Sequence, residues 1–199
     1  MRCFTALSLP GEICRSVQEL QKGLDGQRWQ ARENFHITLR FLDEVRGAQL
    51  KDLREELQSV TFDAFPLSLK GVDFFGKADN PKLLYVAVEP SEALSELKLA
   101  VDHATRQAGI ALERQAGFVP HVTLSRLKRP HGVSLARYLE KHAFFRSECF
   151  WIEEFHLYSS HLGEKGASYF IEDSYEANGC FADPDDDYGL SGFVPGSAF

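Results

Sequence analysis

Apolar and polar positions along this 199-residue chain change period in a set order, and the order occurs twice. Ala6-Leu7-Ser8-Leu9-Pro10 and Val86-Ala87-Val88-Glu89-Pro90 are extended in character, and each stops at a proline. A helical period follows each of them. In the first it runs through Ile13, Val17, Leu20 and Leu24; in the second through Leu94, Leu97, Val101 and Ala104, with Ser91 as N-cap and Gly109 as stop. Phe35-His36-Ile37-Thr38-Leu39 and Pro120-His121-Val122-Thr123-Leu124 then read as strands, because β-branched and apolar residues flank each His-x-Thr. A second helix follows each strand, marked by Leu50, Leu53, Leu57 and Val60, and by the shorter stripe Leu135, Tyr138 and Leu139. Each half closes on an extended run, Leu67 to Phe75 and Phe150 to Tyr158.

The order strand–helix–strand–helix–strand therefore appears twice, with the histidines 85 residues apart and the prolines 80 apart. That spacing indicates duplication of one half rather than a short-period solenoid. The expected fold is α+β: two similar lobes related by a pseudo-two-fold axis, antiparallel-rich sheets with helices outside, and equivalent strands face to face at a central cleft. Residues 1–177 form one bilobal domain in this reading, with interleaved halves at about 1–76 and 82–175. Gly76 to Pro81 is the loop between them. Residues 178–199 are acidic and rich in Gly and Pro, and are expected to be poorly ordered.

Composition narrows the classes. An apolar share of 44% and a charged share of 26% suit a globular protein. No apolar run approaches the ~20 residues needed to span a bilayer, and Met1 to Pro10 reads as a first strand rather than a signal peptide. A cytoplasmic monomer with no membrane partner is expected. Cys3, Cys14, Cys149 and Cys180 show neither C-x-x-C pairing nor zinc spacing, so reduced thiols are expected. The net charge of −7 resides beyond Ile171, in Glu172, Asp173, Glu176, Asp183, Asp185, Asp186 and Asp187. The body is formally neutral, which argues against coating long nucleic acid by bulk electrostatics but leaves room for a local anion site.

The two His-x-Thr strands carry the candidate chemistry. Alternation puts His36, Thr38 and Arg40 on one face and Ile37, Leu39 and Phe41 on the other; His121, Thr123 and Ser125 share a face in the second strand. Converging lobes bring two imidazoles and two hydroxyls together. One neutral imidazole can take a proton from water while the other, protonated, delivers one to a departing oxygen. Threonine hydroxyls can hold non-bridging phosphate oxygens as charge builds. A zinc site is disfavoured, because neither strand carries a third His, Cys or carboxylate beside its histidine. His103, His131, His142, His156 and His161 do not repeat between the halves and read as structural or solvent-facing.

At these residues the chain resembles the two-histidine phosphoesterase superfamily, in particular the bacterial RNA 2′,3′-cyclic phosphodiesterases, also called the 2′-5′ RNA ligase-like group. The likeness extends through Arg2-x-Phe4-x-Ala6, Arg28-Trp29, Glu33-Asn34-Phe35, Phe41-Leu42-x-Glu44-Val45, Phe118-x-Pro120, Arg126, Leu157-Tyr158-Ser159-Ser160, Gly166 and Tyr169, over about residues 2–175. The resemblance implies a bilobal α+β fold with its site in the cleft. It also implies hydrolysis of a ribose 2′,3′-cyclic phosphate, on an RNA 3′ end or a nucleotide, to a 2′-phosphate without cofactor or metal. It makes His36 the proton donor to the 3′-oxygen and His121 the acceptor from water, with Thr38, Thr123 and Arg126 holding the phosphate. Sequence physics alone does not split acid from base.

Two positions depart from a simple reading. Strand parity puts Arg40 on the polar face, as a substrate contact or a solvated charge. Arg126 has the opposite parity to His121 and reaches the phosphate only if its strand ends or bulges. Phe4, Trp29 and Phe118 are candidates for stacking on a base, against core packing as the alternative, and Lys128, Arg129 and His131 form a basic loop after the second motif. Rival functions are 2′-5′ joining of RNA ends, hydrolysis of a small cyclic nucleotide, and an RNA-end-binding module without catalysis. A pure binder has no use for paired proton carriers.

Overall fold

The computed structural model describes residues 1–112, 117–127, 132–163 and 166–178. The first half of the chain forms β1 (Arg2–Ser8), α1 (Gly11–Glu19), β2 (Arg28–Trp29), a 3-10 turn (Arg32–Asn34), β3 (His36–Glu44), α2 (Gly47–Gln58), β4 (Phe65–Leu67) and β5 (Leu69–Lys77). The second forms β6 (Asn80–Val88), α3 (Glu92–Gln107), β7 (His121–Arg126), α4 (Gly132–His142), β8 (Phe150–Ile152), β9 (Glu154–Gly163) and β10 (Gly166–Glu176). The basic loop Lys128, Arg129 and His131, Cys180 and the acidic tail from residue 179 lie outside the described residues.

Local chemistry accounts for the element ends. Ser91 Oγ accepts the Leu94 N–H at 3.2 Å and caps α3, while Gly109 leaves it in the left-handed conformation at φ 72°. The stripe Leu94, Leu97, Val101 and Ala104 is buried throughout. The α1 stripe outruns its helix: Leu20 and Leu24 follow the last helical residue, yet both are buried. The expected loop at Gly76 to Pro81 is a tight hairpin closed by the pair Lys77 and Asn80. Each closing run is two strands rather than one, broken at Ser68 and at Glu153, and the short pieces β4 and β8 pair with each other.

The main sheet has the order β10-β9-β1-β3-β7-β6-β5, with β2 added beside β7, and its ladders are antiparallel. This corrects the face-to-face expectation for the two His-x-Thr strands. β3 and β7 are edge-to-edge neighbours in one sheet, joined by the single pair Ile37 and Val122. Outward from that seam β1 flanks β3 and β6 flanks β7. The closing strand of each half then pairs with the first strand of the other: β9 with β1 and β5 with β6.

One face of this sheet carries the core. Leu7, Ile37, Leu39, Leu84, Val86, Val122 and Leu124 from the strands join Val17, Leu53, Leu57, Leu97, Val101 and Leu135 from the helices in one buried cluster. Each such side chain removed from water contributes about 1.5–3 kcal/mol, so the helices fix this face and leave the other free for the site. The opposite face holds a small separate cluster of Phe4, Ala6 and Tyr158, with Tyr169 against it. No helix among the described residues is long and apolar enough to cross a membrane.

Candidate active site

The two motif strands share one backbone irregularity. In β3, His36 and Thr38 are partly exposed and Ile37 and Leu39 buried; then Arg40 is buried as well and Phe41 emerges. In β7, His121 and Thr123 are partly exposed and Val122 and Leu124 buried; then Ser125 is buried as well and Arg126 emerges. The ladders show why. Thr5 and Ala6 of β1 face Arg40 and Thr38, so Leu39 is the extra residue. Leu84 and Tyr85 of β6 face Ser125 and Thr123, so Leu124 is the extra residue. Each is a β-bulge, which reverses the facing of everything beyond it.

The bulge in β3 overturns the placement of Arg40 on the cleft face. Its side chain turns to the core side, where Nε donates to Asp102 Oδ1 of α3 at 2.6 Å and Nη2 to Oδ2. Lys98 Nζ also donates to Oδ2. Arg40 and Asp102 are 4% and 2% exposed, so this arginine is a buried structural partner with no access to substrate. Burial alone would raise the Asp102 carboxyl, but hydrogen bonds and charge from Arg40 and Lys98 lower it below the usual carboxylate range. The bulge in β7 acts in the opposite sense on expectation. It turns Arg126 to the face of His121 and Thr123, which strict alternation denies it. Ser125, turned inward, donates from Oγ to the Arg28 carbonyl at 2.9 Å and ties β2 to β7.

The histidines are held alike. His36 Nδ1–H donates to the Asn34 carbonyl at 2.9 Å, and His121 Nδ1–H donates to the Val119 carbonyl at 2.8 Å. A carbonyl can only accept, so each ring has its Nδ1 protonated and Nε2 left for chemistry. Antiparallel register about the Ile37 and Val122 pair sets His36 opposite Thr123 and Thr38 opposite His121. The four side chains thus occupy the corners of one patch, the histidines on its diagonal, about 7–8 Å apart at the backbone.

Aromatic rings wall both imidazoles. Phe4 lies 4.9 Å from the His36 ring, Tyr169 lies edge-on at 5.2 Å and Tyr158 at 6.1 Å. Phe75 lies edge-on to His121 at 4.9 Å and Tyr85 at 5.2 Å. The desolvation disfavours charge on either ring. Burial pushes His36 down to about 4, with the Asn34 carbonyl pulling upward and His121 adding to the depression. Burial lowers His121 too, against the pull of the Val119 carbonyl. Both rings are therefore neutral in the free protein at pH 7.

The remaining sequence candidates divide. Phe118 lines a cavity of about 270 Å³ together with Thr38, Phe41, Phe75, Val119 and His121, and so borders the cleft. Phe4 is 3% exposed and stacks on Tyr158 beneath the His36 ring, so it supports the imidazole rather than offering a face to a base. Trp29 packs on the core beside Tyr138. His156 is buried between Ser8 Oγ at 3.1 Å and Ser174 Oγ at 2.8 Å. Phe75 and Tyr85 around His121 are not among the sequence candidates, and Phe41 leaves the apolar face on which alternation placed it. Strict alternation conceals Phe41, and only pairing with β6 brings Phe75 to His121. Among the described residues, no group of three or more His, Cys, Asp or Glu is placed to hold a metal ion.

The chain is similar to known proteins in sequence and in fold. The chain is 31% identical over 174 residues to the RNA 2′,3′-cyclic phosphodiesterase of Archaeoglobus fulgidus, covering 85% of this chain and 96% of that one. Its fold matches TT0787 of Thermus thermophilus with a TM-score of 0.73 at 23% identity, covering 88% of this chain and 97% of the other. It also matches E. coli LigT complexed with 3′-AMP with a TM-score of 0.71 at 22% identity, covering 89% and 98%. The sequence model of the 2′-5′ RNA ligase superfamily matches residues 9–164, which include both His-x-Thr strands, their bulges and the helices behind them, and the chain belongs to that superfamily.

Proposed function

We propose that this protein hydrolyses the 2′,3′-cyclic phosphate at an RNA 3′ end, or on a nucleotide, to a 2′-phosphate. The carrying observation is the matched pair of imidazoles, each with Nδ1–H tied to the carbonyl two residues upstream and Nε2 free on the same face of adjacent strands. Kinship with the Archaeoglobus fulgidus enzyme supports the substrate class. Water attacks phosphorus in line with the departing 3′-oxygen. His121 Nε2 takes the proton from that water, the new P–O bond forms, the P–O3′ bond breaks, and His36 Nε2–H delivers a proton to O3′. Solvent exchange restores both rings.

Thr38 and Thr123 stand on the other diagonal of the patch and donate to the non-bridging oxygens, where charge grows in the transition state. Arg126, turned to the cleft by its bulge, adds a fixed cation. The aromatic walls of Phe4, Phe75, Tyr85 and Tyr158 exclude water, so each of these hydrogen bonds acts in a low dielectric. Protons and hydrogen bonds carry the whole charge redistribution in this scheme. The test is turnover of adenosine 2′,3′-cyclic phosphate in excess chelator, with the product read by phosphorus NMR. The 2′-phosphate is expected as the product. A 3′-phosphate would reverse the leaving oxygen, and activity lost in chelator and restored by zinc or manganese would overturn the mechanism.

A further inference from the structure

Beyond the phosphate patch, a second cavity of about 240 Å³ opens on the same face, lined by Arg2, Phe41, Asp43, Arg126, Ser160 and Tyr169 among others. Arg126 and the Tyr169 ring beside His36 connect it to the patch. Phe41 is 59% exposed, an unusual state for a phenylalanine in mid-strand, and it walls this cavity as well as the one at His121. Asp43 has φ 53°, the left-handed conformation, and it is the non-glycine residue with positive φ among those described. Glycine takes that conformation freely, and aspartate does so with strain. The second irregularity of the β1–β3 ladder falls at this place, between Cys3 and Phe4. It lets the Asp43 carboxylate lie 3.7 Å from the Arg2 guanidinium at the cavity wall. Backbone strain of this kind at a cleft is retained where the side chain has work there.

We infer that this cavity is a nucleobase subsite selective for guanine, with Phe41 as the stacking platform and Asp43 and Arg2 as the edge readers. The inference rests on the nucleotide substrate proposed above. Guanine is the standard base that offers two adjacent donors, N1–H and the N2 amino group, and a carboxylate accepts both at once. The next atom along that edge, O6, is an acceptor and suits a guanidinium beside the carboxylate. Adenine and cytosine pair one donor with a ring acceptor that a carboxylate repels, and uracil has a single donor between two carbonyls. Phe41 supplies an apolar face in reach of any base, so discrimination falls to Asp43 and Arg2.

The experiment measures kcat/KM for the guanosine, inosine and adenosine 2′,3′-cyclic phosphates, and, separately, calorimetric binding of the guanosine, inosine and adenosine 2′-phosphates. Guanosine is expected to be favoured over adenosine by about 10- to 100-fold, the range of one bidentate base contact. Inosine, which keeps O6 and N1–H but lacks the amino group, falls between them. In D43G, where glycine relieves the positive φ, and in D43N, where the charge is lost, the guanosine-to-adenosine ratio collapses toward one. F41A weakens all three ligands without changing their order. Absence of turnover with every cyclic nucleotide would refute the proposed reaction and leave the subsite to be decided by the binding ratios. Equal binding of guanosine and adenosine 2′-phosphates, or a guanosine preference that persists in D43G, overturns the guanine subsite whatever the turnover.

Discussion

Filling the cleft with a phosphate anion should change the acid–base state of the histidines, and pH profiles should show it. His36 titrates at about 4 in the free protein because its surroundings are apolar, and His121 is depressed for the same reason. At pH 7 a group with that pKa is protonated about one part in a thousand, a deficit of about 4 kcal/mol for the proton donor. A phosphate monoanion supplies the compensation. At an effective dielectric of about 20, unit charges about 4 Å apart attract by about 4 kcal/mol, which offsets that deficit and lets the donor hold its proton near pH 7. Because kcat/KM reports the free protein and kcat the complex, the two profiles should separate. The alkaline limb of kcat/KM should fall below pH 6.5, and that of kcat at least one unit higher. Steady-state rates on a 2′,3′-cyclic nucleotide from pH 4 to 9 give both limbs, read as apparent values of the coupled pair. Coincident limbs, or a kcat/KM limb above pH 7, would refute the claim that burial holds both rings neutral until the anion arrives.

The same depression has a cost in stability, because the unfolded chain protonates His36 near 6.5 and the folded one near 4. Stability is therefore lost as pH falls from about 6.5 to about 4, by up to about 3 kcal/mol, and urea unfolding of His36→Asn should lack that part of the slope. Thr38→Val and Thr123→Val should each lower kcat by about 10- to 1000-fold with little change in KM, since a lost oxyanion donor acts in the transition state; wild-type rates would mean the hydroxyls do not meet the phosphate. Arg40→Met should destabilise the fold by about 3–5 kcal/mol in urea, by leaving Asp102 with only part of its buried compensation, while KM stays at the wild-type value; a raised KM with normal stability would return Arg40 to the cleft.

Much of this molecule is legible along the chain. The repeated order of strand and helix, the stripe of α3 with its Ser91 cap, and the His-x-Thr pair each depend on residues close in sequence, where period and capping chemistry act directly. The helix stripes also identify which side of the sheet is covered. Even the condition on Arg126, that its strand must bulge for it to reach the phosphate, follows from side-chain parity alone.

The tertiary structure decided what parity and period leave open. A bulge is a property of two strands in register, so Leu39 and Leu124 look like ordinary strand residues until β1 and β6 lie beside them. The offset at Leu39 sends Arg40 to Asp102 and exposes Phe41, and the offset at Leu124 turns Arg126 to the face of His121. The pairing of β3 with β7 through Ile37 and Val122 is likewise a long-range choice, and it replaces two opposed sheets with one seam on which the four motif side chains alternate. The aromatic walls come from β1, β5, β6, β9 and β10, far away in sequence from the rings they enclose. Sequence therefore determined which groups can move protons, because that is a matter of side-chain chemistry. Their orientation, their neutrality in the free protein and their neighbours depend on desolvation and strand register, which arise only when distant segments pack together.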